Sequence, residues 1–168
     1  MIRLTLESLQ QTLDLGRRLG GLAELGDVFA LDGELGAGKT QLVRGLAEGM
    51  GLDPRQVSSP TFVIMHEYEP DERASAPPPP TLVHVDAYRL SSGDELRELG
   101  FDDELLRTSV TAVEWASRLS DPRDGEADWS GVERRLSILL QHAGQGSRQA
   151  CLDPGPGWRR RLRDLSFG

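Results

Sequence analysis

Residues 33–40 read Gly33-Glu34-Leu35-Gly36-Ala37-Gly38-Lys39-Thr40. They match the pattern Gly-x-x-x-x-Gly-Lys-Ser/Thr, in which a glycine-rich turn cradles phosphate groups between a strand and a helix. The apolar run 28–31 directly before the turn predicts a buried strand. The apolar residues after it that share one helical face are Leu42, Val43, Leu46 and Met50. The stretch therefore predicts a phosphate-binding loop inside an α/β fold.

Each part of this loop has an expected role. The backbone N–H groups and the start of the following helix form a concave site for phosphate oxygens. The loop residues expected to bind the nucleotide are Gly33, Leu35, Gly36, Ala37, Gly38, Lys39 and Thr40. We expect Lys39 to contact the terminal phosphates and to act in catalysis, and the Thr40 hydroxyl to ligate Mg²⁺.

The single lysine supports this assignment. The chain has 19 cationic residues, and Lys39 is the only one that is not arginine. A compact ammonium on a flexible stem reaches between two phosphates, where a planar guanidinium does not fit. A chain that otherwise uses arginine thus places its lysine where a phosphate site needs one.

Two apolar runs, 82–86 and 110–114, each end in an acid, Asp86 and Glu114. Carboxylates at strand ends can hold Mg²⁺ or its water, although a helix cap or a surface acid remains the alternative for each. The segment 58–62 (Ser-Ser-Pro-Thr-Phe) either senses the terminal phosphate or forms a simple turn. His66 and His84 lack metal-ligand spacing and are expected to be packing or strand residues.

The composition limits where the protein acts. Its one cysteine, Cys151, cannot form an internal disulfide. No leader and no apolar run near the ~20 residues of a membrane span are present, so we expect a cytoplasmic protein without a membrane partner. The net charge of −8 argues against a broad electrostatic grip on nucleic acid.

Strands that alternate with helices predict an α/β fold, namely a P-loop NTPase-like three-layer sandwich with a mostly parallel central sheet. We expect one domain over 1–168, with a mobile proline-rich loop at about 70–80 and a C-terminal tail at about 154–168. Predicted strands cover 2–6, 61–68, 81–86 and 108–115, with a terminal hairpin of 136–140 and 148–152. Further helices are predicted after Ser8, after Ser92 and over 158–165. A helical turn is predicted at 101–106, and a polar loop at 120–131. The arginines Arg159, Arg160, Arg161 and Arg163 are expected to lie on a solvated helix face.

Five segments resemble one family closely, and they occur in the family's order: 33–40, 58–62, His84-Val85-Asp86-Ala87-Tyr88-Arg89-Leu90, 94–101 (Asp-Glu-Leu-Arg-Glu-Leu-Gly-Phe) and Val113-Glu114-Trp115. The chain is similar over about residues 8–152 to TsaE, a bacterial ATPase required for threonylcarbamoyladenosine in tRNA. The glycine loop is common to many families, whereas the other segments are more specific.

The resemblance implies roles for single residues. Glu114 would join Thr40 around Mg²⁺, and Asp86 would act in catalysis, supporting hydrolysis or the water shell of the metal. Further nucleotide-binding residues implied in this way are Leu9, Thr12, Trp115 and Arg148. Glu34 stands where an aspartate is more usual, which keeps the charge.

The resemblance also implies an accessory role. The protein would bind and hydrolyse ATP with Mg²⁺ while acting with TsaB and TsaD on the tRNA adenosine next to the anticodon, and it would meet tRNA only through that complex. Two other functions fit the same loop: a small-molecule kinase with Asp86 as base, and a nucleotide-controlled binding switch.

Overall fold

A computed structural model describes residues 1–58, 64–71, 77–119 and 132–163. The strands are β1 (Ile2–Leu6), β2 (Val28–Gly33), β3 (Met65–Tyr68), β4 (Leu82–Asp86), β5 (Val110–Glu114), β6 (Arg135–His142) and β7 (Arg148–Pro154). The helices are α1 (Leu9–Gly20), α2 (Lys39–Met50), α3 (Gly93–Glu98), α4 (Asp103–Thr108) and α5 (Pro156–Arg163). Short 3₁₀ turns lie at Pro54–Gln56, Ala87–Arg89 and Ala116–Leu119.

The strands form one sheet in the order β1-β7-β6-β2-β5-β4-β3. β2 pairs in parallel with β5 and β6, and β5 pairs in parallel with β4. The margins are antiparallel: β6 with β7, β7 with β1, and β4 with β3. The predicted α/β architecture with a parallel centre is therefore confirmed, as are the edge strand at 2–6 and the terminal hairpin.

Side chains of β2 alternate between the two faces of the sheet. Phe29 and Leu31 pack into a core with α1, α2 and α5, whereas Val28 and Ala30 pack into a second core with α3 and α4. Trp158 of α5 is fully buried against Phe29, with ring centroids 5.1 Å apart. Helices on both faces of a parallel sheet give the predicted three layers.

Local signals place the helix ends. Ser8 caps α1 by accepting from the Gln11 N–H, and Ser92 caps α3 by accepting from the Glu95 N–H. α1 ends at Gly20 and is followed by Gly21. The helical turn expected at 101–106 is α4, which begins later, at Asp103, because the Asp102 side chain caps it.

The strand predicted at 108–115 is shorter at both ends. Thr108 closes α4, where its hydroxyl donates to the Glu104 carbonyl at 2.8 Å. Trp115 leaves the strand with a φ of 60°, in the left-handed region. Of the predicted strand 61–68, residues 65–68 form β3. The polar loop predicted at 120–131 and part of the proline-rich loop, 72–76, lie outside the described residues.

Candidate functional site

The glycine loop joins the carboxyl end of β2 to the amino end of α2. Gly36 and Gly38 have φ of 77° and 107°, in the left-handed region that favours glycine. A Cβ at Gly36 would meet no atom within 4 Å and would project into open space. Gly38 is the N-cap of α2, so the positive end of the helix dipole faces the loop. The local geometry is that of an anion-binding turn.

Lys39 folds back over the loop. Its Nζ donates to the Gly33 carbonyl at 2.7 Å and to the Glu34 carbonyl at 2.9 Å. The same ammonium lies 3.7 Å from the centroid of the Trp115 ring, a cation–π contact. The lysine therefore lies at the loop that it was predicted to serve.

The charge of Lys39 is incompletely compensated. Burial lowers the pKa of Lys39, and the attraction of Glu114, Asp86 and Asp32 opposes this shift only in part. A buried ammonium with a lowered pKa gains free energy from any further negative charge brought beside it. This is the electrostatic condition expected at a phosphate site.

The two predicted carboxylates lie side by side. Asp86 and Glu114 are paired residues of β4 and β5, and both are buried. The Thr40 hydroxyl donates to Glu114 Oε1 at 2.8 Å, which joins the start of α2 to the end of β5. Asp86 Oδ1 accepts from the Tyr88 N–H at 2.9 Å, so it caps the turn Ala87–Arg89 as well. The helix cap that was the alternative to a metal role for Asp86 is therefore present, and the same side chain also lies at the candidate site.

Residues from α1 and β7 form the opposite wall. Leu9 and Thr12 of α1 lie beside Gly38, where an added Cβ would come within 3.4 Å of both. The buried Arg148 of β7 points its Nη1 at Thr12 Oγ1 at 3.5 Å. Its Nε has no hydrogen-bond partner within the described ranges. The three residues implied by resemblance do converge on the loop.

These elements enclose an open cavity of about 440 Å³. Its lining contains the predicted residues Leu9, Leu35, Gly36, Gly38, Lys39, Thr40, Asp86, Glu114 and Trp115. Gln41 and Tyr88, which were not predicted, line it as well. The predicted residues Gly33, Ala37, Thr12 and Arg148 are not among those that line it. Ala37 is fully buried.

Sequence reasoning missed two polar residues at this site. His84, expected to be a packing or strand residue, does lie in β4 and is fully buried, but its Nε2 also lies 3.0 Å from Glu114 Oε1. Asp32 accepts from the Ser117 N–H at 3.1 Å and from the Ser117 hydroxyl at 2.8 Å, which ties the turn after Trp115 to β2. Both could have been found, because His84 shares a strand face with Asp86 and Asp32 is the acid next to the last residue of the strand before the loop.

The basic tail requires a correction. Arg161 is not on a solvated helix face, since its guanidinium makes two short bonds, of 2.6 and 2.7 Å, to the fully buried carboxylate of Asp27. Arg159, Arg160 and Arg163 are exposed, as expected. Of the segment 58–62, only Ser58 is described, so its proposed sensing role stays a prediction.

Metal binding at the site would depend on few protein groups. Within the described ranges there is no group of three or more His, Cys, Asp or Glu residues that could hold a metal ion. The Thr40 hydroxyl and one carboxylate suit Mg²⁺, which is commonly held by one or two carboxylates together with substrate phosphates.

Within the residues that the structure describes, no helix combines the length and apolar character needed to cross a membrane.

Comparison with known proteins supports one family. The family model described as "Threonylcarbamoyl adenosine biosynthesis protein TsaE" matches residues 6–150. The crystal structure of YdiB from Bacillus subtilis superposes with a TM-score of 0.66 at 26% identity, covering 97% of this chain and 91% of that one.

Three relatives are named tRNA threonylcarbamoyladenosine biosynthesis protein TsaE. The Streptomyces coelicolor protein is 52% identical over 61% of this chain, and the match spans less than two thirds of its length, 65%. The Bacillus subtilis protein is 35% identical over 83% of this chain and 77% of its own. The Nostoc protein is 32% identical over 92% of this chain and 86% of its own. Together with the matching fold, these similarities show that the chain belongs to the TsaE family.

Proposed function

We propose that this protein binds ATP with Mg²⁺ and hydrolyses it as an accessory to tRNA threonylcarbamoyladenosine formation, the biosynthesis in which the TsaE family takes part. The observation that carries the proposal is the 2.8 Å bond from Thr40 to Glu114 beside the glycine loop. It joins the hydroxyl that follows the loop lysine to a buried strand-end carboxylate, the pair that a Mg²⁺–nucleotide site requires.

The residues present fit a nucleoside triphosphate. A side chain at Gly36 would project into the open space beside the loop, which the glycine keeps free for phosphate oxygens. The Lys39 ammonium is buried and incompletely compensated, and the N-terminus of α2 adds favourable dipole. The apolar side chain of Leu9, half exposed at the cavity wall, suits the base or sugar of a nucleotide.

Four side chains would bind the phosphates, the metal and the attacking water. Lys39 would bind the terminal phosphates, and Thr40 with Glu114 would hold the metal. When bound, Mg²⁺ would neutralise charge on the phosphates and fix their orientation. Asp86, whose Oδ1 is held by the Tyr88 N–H, would orient the attacking water or a water of the metal.

The partners in this proposal are TsaB and TsaD, and the setting is the cytoplasm. The surplus of 27 acidic over 19 basic residues fits a chain that leaves the grip on tRNA to its partners. The accessory protein would couple its nucleotide cycle to their reaction without holding the RNA itself.

Steady-state release of phosphate from ATP tests the proposal. It is measured for the chain alone, with the TsaB–TsaD pair, and with Lys39→Ala as the matched inactive control. We expect hydrolysis that rises with the pair and is lost in the variant. Phosphorylation of a small hydroxylated metabolite would favour a kinase. Tight ATP binding without turnover under either condition would favour a binding switch.

A further inference from the structure

His84 is an unusual residue for its position. It lies in β4 between Val83 and Val85, and its side chain is fully buried. Leu82, two residues earlier on the same face of β4, packs into the core formed with α1, α2 and α5. An apolar residue would fill this site without the cost of burying an imidazole. Packing alone therefore does not explain the choice of histidine.

The hydrogen bond of His84 is directed at the predicted metal ligand. Its Nε2 lies 3.0 Å from Glu114 Oε1. With Glu114 ionised, as a metal ligand must be, its oxygens only accept hydrogen bonds, so Nε2 is the donor and carries the hydrogen. The Thr40 hydroxyl donates to the same oxygen at 2.8 Å. Two donors, one on α2 and one on β4, thus bond to Oε1.

The other ring nitrogen makes no comparable contact. Nδ1 of His84 is buried and has no hydrogen-bond partner in the part of the chain that the structure describes. Tyr68 packs nearby, with its ring centroid 6.3 Å from that of His84. The bond to Glu114 is accordingly the one polar interaction recorded for this imidazole within the described ranges.

We propose that His84 is a positioning residue that holds the Glu114 carboxylate in the orientation needed to bind the divalent cation of the nucleotide. The proposal rests on the proposed function, because it assigns to Glu114 the metal of an ATP site. Partners that orient a metal-binding carboxylate are worth about 10–100-fold in metal affinity or activity. His84 acts through Glu114 and does not itself contact the nucleotide.

The test compares binding with and without Mg²⁺. Calorimetry gives the Kd of a non-hydrolysable ATP analogue in EDTA and in excess Mg²⁺, and the ratio of the two is the gain due to the metal. His84→Leu should lower this gain by about tenfold or more, while the affinity in EDTA stays unchanged. His66→Leu is the matched control, because His66 is the cross-strand partner of His84 on β3 and makes no bond to Glu114.

Conservative variants separate orientation from packing. The amide nitrogen of His84→Gln can take the place of Nε2 and should keep the gain, whereas His84→Asn is too short to reach Glu114 and should lose it. This pair decides the matter even where His84→Leu does not fold. Equal gains for Gln and Asn, or a wild-type gain in His84→Leu, would overturn the positioning role and leave the proposed function intact. A wild-type protein that gains nothing from Mg²⁺ would overturn both.

Discussion

The contact between α1 and α2 offers a sharp test of the fold, because it is built on glycine. A Cβ added at Gly45 of α2 would lie 2.2 Å from the Leu13 carbonyl oxygen of α1. It would also lie 2.9 Å from the Arg17 nitrogen and from the Gly16 Cα. All three obstacles are backbone atoms, so no side-chain rotation can relieve the clash. Gly45→Ala must push the two helices apart.

The size of the effect follows from two opposing terms. Relieving the carbonyl contact requires a shift of roughly 1 Å, and overpacking of this kind costs about 1–3 kcal/mol. Replacing a helical glycine with alanine returns up to ~1 kcal/mol of helix propensity. Since the obstacles are backbone atoms, the cost lies in the upper part of that range, about 2–3 kcal/mol, so we expect Gly45→Ala to lower the free energy of unfolding by about 1–2 kcal/mol. For a chain of this size, that lowers Tm by roughly 2–8 °C.

Gly21, just after α1, is the matched control. Its φ is −65°, and an added Cβ would come no closer than 3.6 Å to its neighbours. Gly21→Ala should leave Tm unchanged or raise it slightly, since the unfolded chain loses entropy. Thermal unfolding followed by circular dichroism measures both. A Tm for Gly45→Ala equal to or above that of Gly21→Ala would refute the close-packed interface.

The same shift should reach the candidate site. α1 carries Leu9 and Thr12 beside Gly38, and α2 begins at Lys39. Separating the helices widens this wall, so ATP affinity should fall in Gly45→Ala and remain at the wild-type value in Gly21→Ala. Calorimetric titration at a temperature where both variants are folded makes the comparison.

Three further predictions concern single charges. Lys39→Met should lose most of the rise in Tm that ATP and Mg²⁺ give to the wild-type protein. With ATP at 100 times its Kd, that rise corresponds to about 2.7 kcal/mol of stabilisation. An undiminished rise in a thermal scan of the variant would contradict the assignment of Lys39 to the phosphate site. Glu114→Ala should weaken nucleotide binding in Mg²⁺ more than in EDTA, and equal losses in both titrations would shift the metal role to its neighbour on β4. Arg161→Met leaves the buried Asp27 paired with Arg134 alone, so it should cost less than the ~3–5 kcal/mol of a fully unpaired buried charge in urea unfolding but clearly more than the exposed Arg160→Met; similar midpoints for the two would contradict the buried pair.

The fold was largely predictable, because its signals are local. The run 28–31, the glycine loop and the helical spacing after Lys39 lie in one continuous segment, so no distant contact was needed to identify β2 and α2. Ser8 and Ser92 mark helix starts by bonds within three residues. The ends of β5 were predicted less well. A hydrogen bond places Thr108 in α4, and a left-handed backbone angle takes Trp115 out of the strand, and neither can be read from hydrophobic periodicity.

The candidate site was predictable where it follows a motif and not where it depends on pairing between strands. His84 was set aside for lack of metal-ligand spacing, yet its role comes from register, which places β4 beside β5 and turns His84 toward Glu114. Arg161 was expected in solvent, because runs of charged residues usually lie on exposed helix faces. The burial of Asp27, which lies 134 residues away in sequence, reverses that expectation.

The two ends of β2 show how the same fold treats buried charge in two ways. Before its first residue, Asp27 is fully buried and accepts two short bonds from Arg161, so its charge is matched and α5 is fastened to the sheet. Beyond its last residue, Glu114, Asp86 and Asp32 attract the Lys39 ammonium, yet burial outweighs them and lowers the pKa of Lys39. The Asp27 carboxylate already has its counter-ion in direct contact, whereas an anion placed beside Lys39 would still favour its charged form. The Lys39 end of β2 is therefore the end at which an added phosphate would stabilise a buried charge.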